Sequence, residues 1–240
     1  MTQTQTFKPL KPKVILGVVA HPDDLEFGMA GTVAKYIAEG AKVYYLILTN
    51  ANKGSSDRSM TSDELRDIRR TEQRAAGKVL GLSDVFFCDY EDGALEVCMD
   101  VKRDIVRIVR QVRPDVVLTM DPTMMYDVGR GFINHSDHRA AGQSALDAVY
   151  PLARDHLSFP ELLQEGLEPH NVATVLMAHF GKENFYVDIS PHIDTKLKAL
   201  AAHKSQVAEP AFEMVRQWGA QMGSKVGAAY AEGFVRIDIA

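Results

Sequence analysis

Short, unbroken apolar runs alternate with longer segments of helical periodicity through the first half of the chain. Val14-Ile15-Leu16-Gly17-Val18-Val19 carries no polar side chain, as expected of a strand buried on both faces. Strands are predicted over 14–20, 42–49, 85–89 and 115–120, and helices over 28–39, 62–80 and about 101–112. On the 62–80 helix the apolar stripe reads as Ile68, Ala75, Ala76, Val79 and Leu80. This alternation predicts an α/β fold, a Rossmann-like, mostly parallel sheet with helices on both faces. Beyond residue 150 the pattern changes. Strands are expected over 172–180, 185–189 and 234–239, and helices over 191–204 and 211–222. No linker or repeat intervenes. Residues 1–240 therefore read as one domain, with a core over 1–150 and a C-terminal α/β extension over 151–240 walling one side of the site.

Composition narrows the function. A formal net charge of -5 argues against a general nucleic-acid binder, which would present a basic surface. No apolar stretch approaches the ~20 residues of a membrane span, and 1–13 is polar with no apolar signal core. The expectation is a cytoplasmic protein with neither membrane nor nucleic-acid partners. Cys88 and Cys98 lack metal-type spacing and read as reduced thiols near the core.

The chemistry gathers at predicted strand tips, where open α/β sheets bind ligands. Ala20-His21-Pro22-Asp23-Asp24 follows the first strand, and Pro22 sharpens the turn. His21 and Asp24 can converge on one cation, and Asp23 can face the same cavity without ligating. His135-Ser136-Asp137-His138 follows the 115–120 strand and a long loop, and opens a helix over about 137–148. Asp137 suits the positive end of that helix dipole, and His138 can point back over the strand tips. His21, Asp24 and His138 form a two-imidazole, one-carboxylate set that leaves positions open for water or substrate, as catalytic zinc sites do. The 121–134 loop is long for a compact domain, where such loops are functional or mobile, and reads as a candidate lid.

These two motifs resemble those of the zinc-dependent N-deacetylases typified by the GlcNAc-phosphatidylinositol deacetylase and the LmbE-like proteins. The bacillithiol, mycothiol and diacetylchitobiose deacetylases belong to the same family. The resemblance implies Zn²⁺ bound by His21, Asp24 and His138, with Asp23 as general base and His135 as an assisting acid. It also implies sugar contacts by Arg69, from Arg69-x-x-Glu72, and by Asp92. An ion-paired helix face describes Arg69 equally well, and a turn before Gly93 describes Asp92. Ala51 stands where similar proteins carry an early glycine in the loop after the second strand. His203, in His203-Lys204-Ser205-Gln206, suits a helix C-terminus; in similar proteins such a histidine borders the active site. The expected substrate is a small N-acetyl amino sugar, an N-acetylglucosamine unit alone or ending a short conjugate. The resemblance further implies a homo-oligomer, with a hexamer as the precedent.

The implied reaction is amide hydrolysis. Zinc would activate water, Asp23 would take its proton, and a protonated His135 would stabilise the oxyanion. The same triad also describes a non-haem iron enzyme, and a third reading is a non-catalytic sugar-binding module. Asp23 speaks against both, because it has a hydrolytic task that binding alone does not need.

Overall fold

The computed structural model describes residues 8–179 and 181–239. Seven strands form one sheet in the order β3-β2-β1-β4-β7-β9-β8. They are β1 (Val14–Val19), β2 (Lys42–Thr49), β3 (Asp84–Tyr90), β4 (Val116–Met120), β7 (Thr174–Ala178), β8 (Phe185–Asp188) and β9 (Ala231–Asp238). β1 to β4 and β7 run parallel, whereas β9 is antiparallel to β7 and β8. A two-residue ladder, β5 (Tyr126–Asp127) with β6 (Phe132–Ile133), makes a hairpin within the long loop. The sheet is thus mostly parallel, as the alternation predicted. The expected strand over 172–180 shortens to β7, and its last position, Phe180, lies outside the described residues, as do Met1 to Phe7 of the polar N-terminus.

Alternate residues of each strand feed two separate cores. Ile15, Val19, Val43, Tyr45, Ile47, Val116 and Leu118 face one; Leu16, Val18, Leu46, Leu48 and Val117 face the other. The first core is closed by α1 (Asp24–Gly28), α2 (Ala30–Ala38), α3 (Ser62–Leu80), α7 (Ile193–Leu200) and α8 (Pro210–Ser224). The second is closed by α4 (Met99–Val112), α5 (Ser136–Asp147) and α6 (Pro160–Gln164).

Three expectations need correction. The 28–39 helix is two helices, with α1 starting inside the first motif and the chain breaking at Met29, φ -140°. The buried stripe of α3 is Leu65, Arg69, Gln73, Ala76 and Leu80, whereas Ile68 and Val79 are exposed. The helix is rotated because Arg69 and Gln73 have partners inside, and a paired polar group can be buried. Cys98 is exposed at the start of α4 rather than near the core; both cysteines are free.

Two close approaches set the site. A Cβ on Gly17 of β1 would lie 2.7 Å from Leu25 Cδ1, so glycine lets α1 sit directly on the strand. A Cβ on Gly142 of α5 would lie 2.2 Å from the Met120 carbonyl oxygen, so α5 packs onto the end of β4. These contacts fix the starts of α1 and α5, which carry Asp24 and His138.

Candidate active site

Loops leaving the C-terminal ends of β1, β2, β3 and β4 meet where strand order reverses between β1 and β4. His21, Asp24, Asp92 and Asp137 are buried there, and His138 is mostly buried. The structure brings both sequence motifs together. Asp24 Oδ1 lies 3.0 Å from His138 Nε2, and Asp24 Oδ2 lies 3.8 Å from His21 Nδ1. The His21 backbone N–H donates to Asp24 Oδ2 at 2.9 Å, which holds that carboxylate over the turn.

The other nitrogen of each ring is already occupied. His21 Nε2 lies 3.2 Å from both Asp92 Oδ1 and Asp137 Oδ2. His138 Nδ1 lies 3.2 Å from Asn134 Oδ1. With these acceptors holding one proton on each ring, His21 Nδ1 and His138 Nε2 face Asp24, and a cation displacing any proton there would meet a lone pair on each. Carboxylates behind a ligating histidine fix its tautomer and raise its basicity. The donor set, two imidazoles and a carboxylate, suits a zinc-like ion. One donor atom each from His21, His135 and His138 also lies within 4.8 Å of the others.

The electrostatics agree with a site for positive charge. Burial acts to lower the His21 imidazole, but its bonds to Asp137 and Asp92 and the Asp24 charge push it up to about 10. Burial acts to raise Asp24, and His138 and His21 override it, holding the carboxylate well below its usual range. Burial pushes Asp23 up to about 7, against the pull of Arg69 and with help from Asp24.

Asp23 occupies the position before α1 in a left-handed conformation, φ 83°. Its side chain caps nothing; its Oδ2 lies 3.7 Å from Arg69 Nη2. Backbone strain of this kind persists where the surroundings hold it. His135 is half-exposed at the rim, and its Nδ1 accepts the Asp137 N–H at 3.2 Å. Burial, then the His21 charge, hold His135 below its usual value. With Nδ1 accepting that N–H, the ring carries a proton on Nε2.

Arg69 and Asp92 both border the polar cavity beside His21 and Asp23. Arg69 is buried, and its guanidinium donates to the carbonyls of Pro22, Ala51 and Lys53, clamping two loops together. Asp92 Oδ2 accepts the Lys53 N–H at 3.2 Å, while Oδ1 faces His21. Both side chains are thus engaged in building the cavity. Ala51 sits in a left-handed conformation, φ 52°, of the kind glycine adopts most readily.

Several residues escaped the sequence reading. Asp137 was read only as a dipole partner, yet it also accepts the Gly93 and Leu95 N–H groups, tying the loop after β3 to His21. Its place inside the second motif was the available signal. Lys53 and Gln206 also line the polar cavity; Gln206 closes the His203-Lys204-Ser205-Gln206 segment, whereas nothing in the local sequence marks Lys53. His203 is buried with Nε2 3.5 Å from Glu26 Oε2, close enough to Asp23 for its charge to act on that carboxyl. Trp218 and Arg130 line an apolar cleft beyond Asp24, whereas Tyr126 is exposed on the hairpin.

Residues 16–149 match the sequence profile of the PIG-L family, GlcNAc-PI de-N-acetylase. The diacetylchitobiose deacetylase of Thermococcus kodakarensis is 32% identical over 225 residues, 92% of this chain and 82% of that protein. A 1D-myo-inositol 2-acetamido-2-deoxy-alpha-D-glucopyranoside deacetylase of Rhodococcus erythropolis is 27% identical, with 81% of each chain covered. The N,N'-diacetylchitobiose deacetylase structure from Pyrococcus horikoshii superimposes with a TM-score of 0.86 at 31% identity, covering 95% of this chain and 84% of that one.

Proposed function

The chain belongs to the PIG-L family of GlcNAc-PI de-N-acetylases and is an N-deacetylase, and we propose that it hydrolyses N-acetylglucosamine-type substrates with Zn²⁺ held by His21, Asp24 and His138. The observation that carries this is the facing pair His21 Nδ1 and His138 Nε2 across Asp24, each ring fixed from behind by an oxygen acceptor. When bound, zinc lowers the pKa of water from about 15.7 toward about 7 and polarises a carbonyl.

The chain's own residues supply the rest. Asp23 takes the proton of the attacking water, and its neighbour on the same turn is Asp24. His135 Nε2–H donates to the carbonyl oxygen as negative charge develops there. The C–N bond then breaks, the amine takes the proton held on Asp23, and acetate leaves. Arg69 and Asp92 hold the loops and His21 in register, and their cavity-facing edges, with Lys53 and Gln206, offer donors and acceptors for sugar hydroxyls.

The deacetylase relatives disfavour an iron oxygenase or a non-catalytic module. No helix among the described residues is long and apolar enough to cross a membrane. A cytoplasmic homo-oligomer, hexameric by resemblance, completes the proposal; light scattering at 26.6 kDa over a wide concentration range would contradict the assembly.

A substrate panel tests the sugar. N-acetylglucosamine or its disaccharide should release acetate far faster than acetamide or N-acetyl amino acids. A cavity built to bond hydroxyls discriminates strongly against analogues that leave its polar groups unpaired. Equal specificity constants for sugars and amino acids would contradict the assignment.

A further inference from the structure

Asp24 and His138 stand at the junction of two cavities of opposite character. One is polar and is bordered by Lys53, Arg69, Asp92, His135 and Gln206. The other, about 180 Å³, is walled by Phe27, Met120, Met124, Phe132, Met214 and Trp218. It continues past Trp218 toward Ile189, Val215 and Met222. Its roof is tied to the site, because Asn134 donates to the Met124 and Met125 carbonyls and presents Oδ1 to His138.

A scissile amide has two substituents that leave it in opposite directions. The polar cavity matches the sugar on nitrogen, which leaves the apolar one for the group on the carbonyl carbon. Acetyl presents a single methyl there. An apolar cavity of about 150 Å³ is roomy enough for benzene, so this space exceeds what acetyl fills.

Resting on the deacetylase reading above, we propose that the apolar cavity is an acyl subsite and that the enzyme removes N-acyl groups of three to six carbons from glucosamine at least as readily as acetyl. The reaction is unchanged: water adds its oxygen to the acyl carbon, the C–N bond breaks, the carboxylate leaves, and the amine keeps the transferred proton. Met214, on α8, lines the cavity at a part-exposed position and serves as a specificity-determining residue.

The test is amine release from N-acetyl-, N-propionyl-, N-butyryl- and N-hexanoylglucosamine by the zinc-loaded protein. Each methylene buried is worth up to about fourfold in kcat/KM, from ~0.8 kcal/mol at 1.4 kcal/mol per tenfold. The butyryl substrate should equal or exceed acetyl, and Met214→Trp should lower the butyryl-to-acetyl ratio at least tenfold while Met214→Leu preserves it. A tenfold fall from acetyl to propionyl in the unaltered protein, or a ratio unmoved by Met214→Trp, would overturn the acyl subsite and leave the deacetylase reading standing. Failure of every substrate, acetyl included, would overturn both.

Discussion

The backbone N–H of Asp23 donates to the side-chain oxygen of Gln73 at 3.1 Å, anchoring the proposed base to the middle of α3. Gln73 in turn donates to Glu26 Oε1 at 3.0 Å, and Glu26 Oε2 faces His203 at 3.5 Å. Gln73, Glu26 and His203 are all buried. The left-handed turn at Asp23 is therefore held by a chain of buried polar groups reaching to the end of α7.

Gln73→Leu should lower kcat by about 10- to 100-fold with zinc content unchanged. It removes the acceptor for Asp23 and leaves Glu26 short of a donor, which costs about 1–3 kcal/mol of stability. Kinetics beside metal analysis and calorimetry check this. An unaltered kcat would show that Asp23 keeps its position without α3.

Asp23→Asn should retain zinc and lose about 10²–10⁴-fold in turnover, since the amide cannot accept the water proton. His135→Ala should be milder and should also retain zinc. Loss of metal in the His135 variant would make it a ligand, an outcome its distance to His21 and His138 keeps meaningful.

Gly142→Ala should lower Tm by roughly 2–12 °C, from an overpacking cost of about 1–3 kcal/mol. Its Cβ would meet the backbone oxygen of Met120, which cannot rotate away. The shift of α5 carries His138, so zinc affinity should fall too. An unchanged Tm and affinity would mean that α5 does not hold His138 by this contact.

Iodoacetamide at pH 8 should label Cys98 in the native protein and spare Cys88. Burial, with Asp104 and Asp89 nearby, pushes the Cys88 thiol up to about 12. The thiolate forms only as pH rises through that value, so at pH 8 roughly one molecule in 10⁴ carries it. Mass spectrometry showing equal labelling would contradict the burial of Cys88.

The sheet was legible because strand burial on two faces writes itself as apolar runs, and α3 was read with both ends correct, Ser62–Leu80. Its inward face was not, because Arg69 and Gln73 break the hydrophobic stripe to serve the site. The motifs pointed to His21, Asp24 and His138, which the fold brings together, because the proposed metal geometry needs those residue types in one place. Glu26 and Gln73 escaped because they act through a contact 47 positions apart in sequence, which no local pattern records. The Tyr126–Ile133 hairpin escaped for a different reason: two-residue strands carry too few positions to show alternation.

Zinc content and acetate release measured on the same samples test the central claim most directly. The purified protein should carry one zinc per chain and release acetate from N-acetylglucosamine or its disaccharide. Chelation should abolish release, and zinc should restore it. His21→Ala, Asp24→Ala and His138→Ala should each lose both metal and activity. Acetate release at the full rate by the chelated protein, or full zinc occupancy in all three variants, would contradict the account.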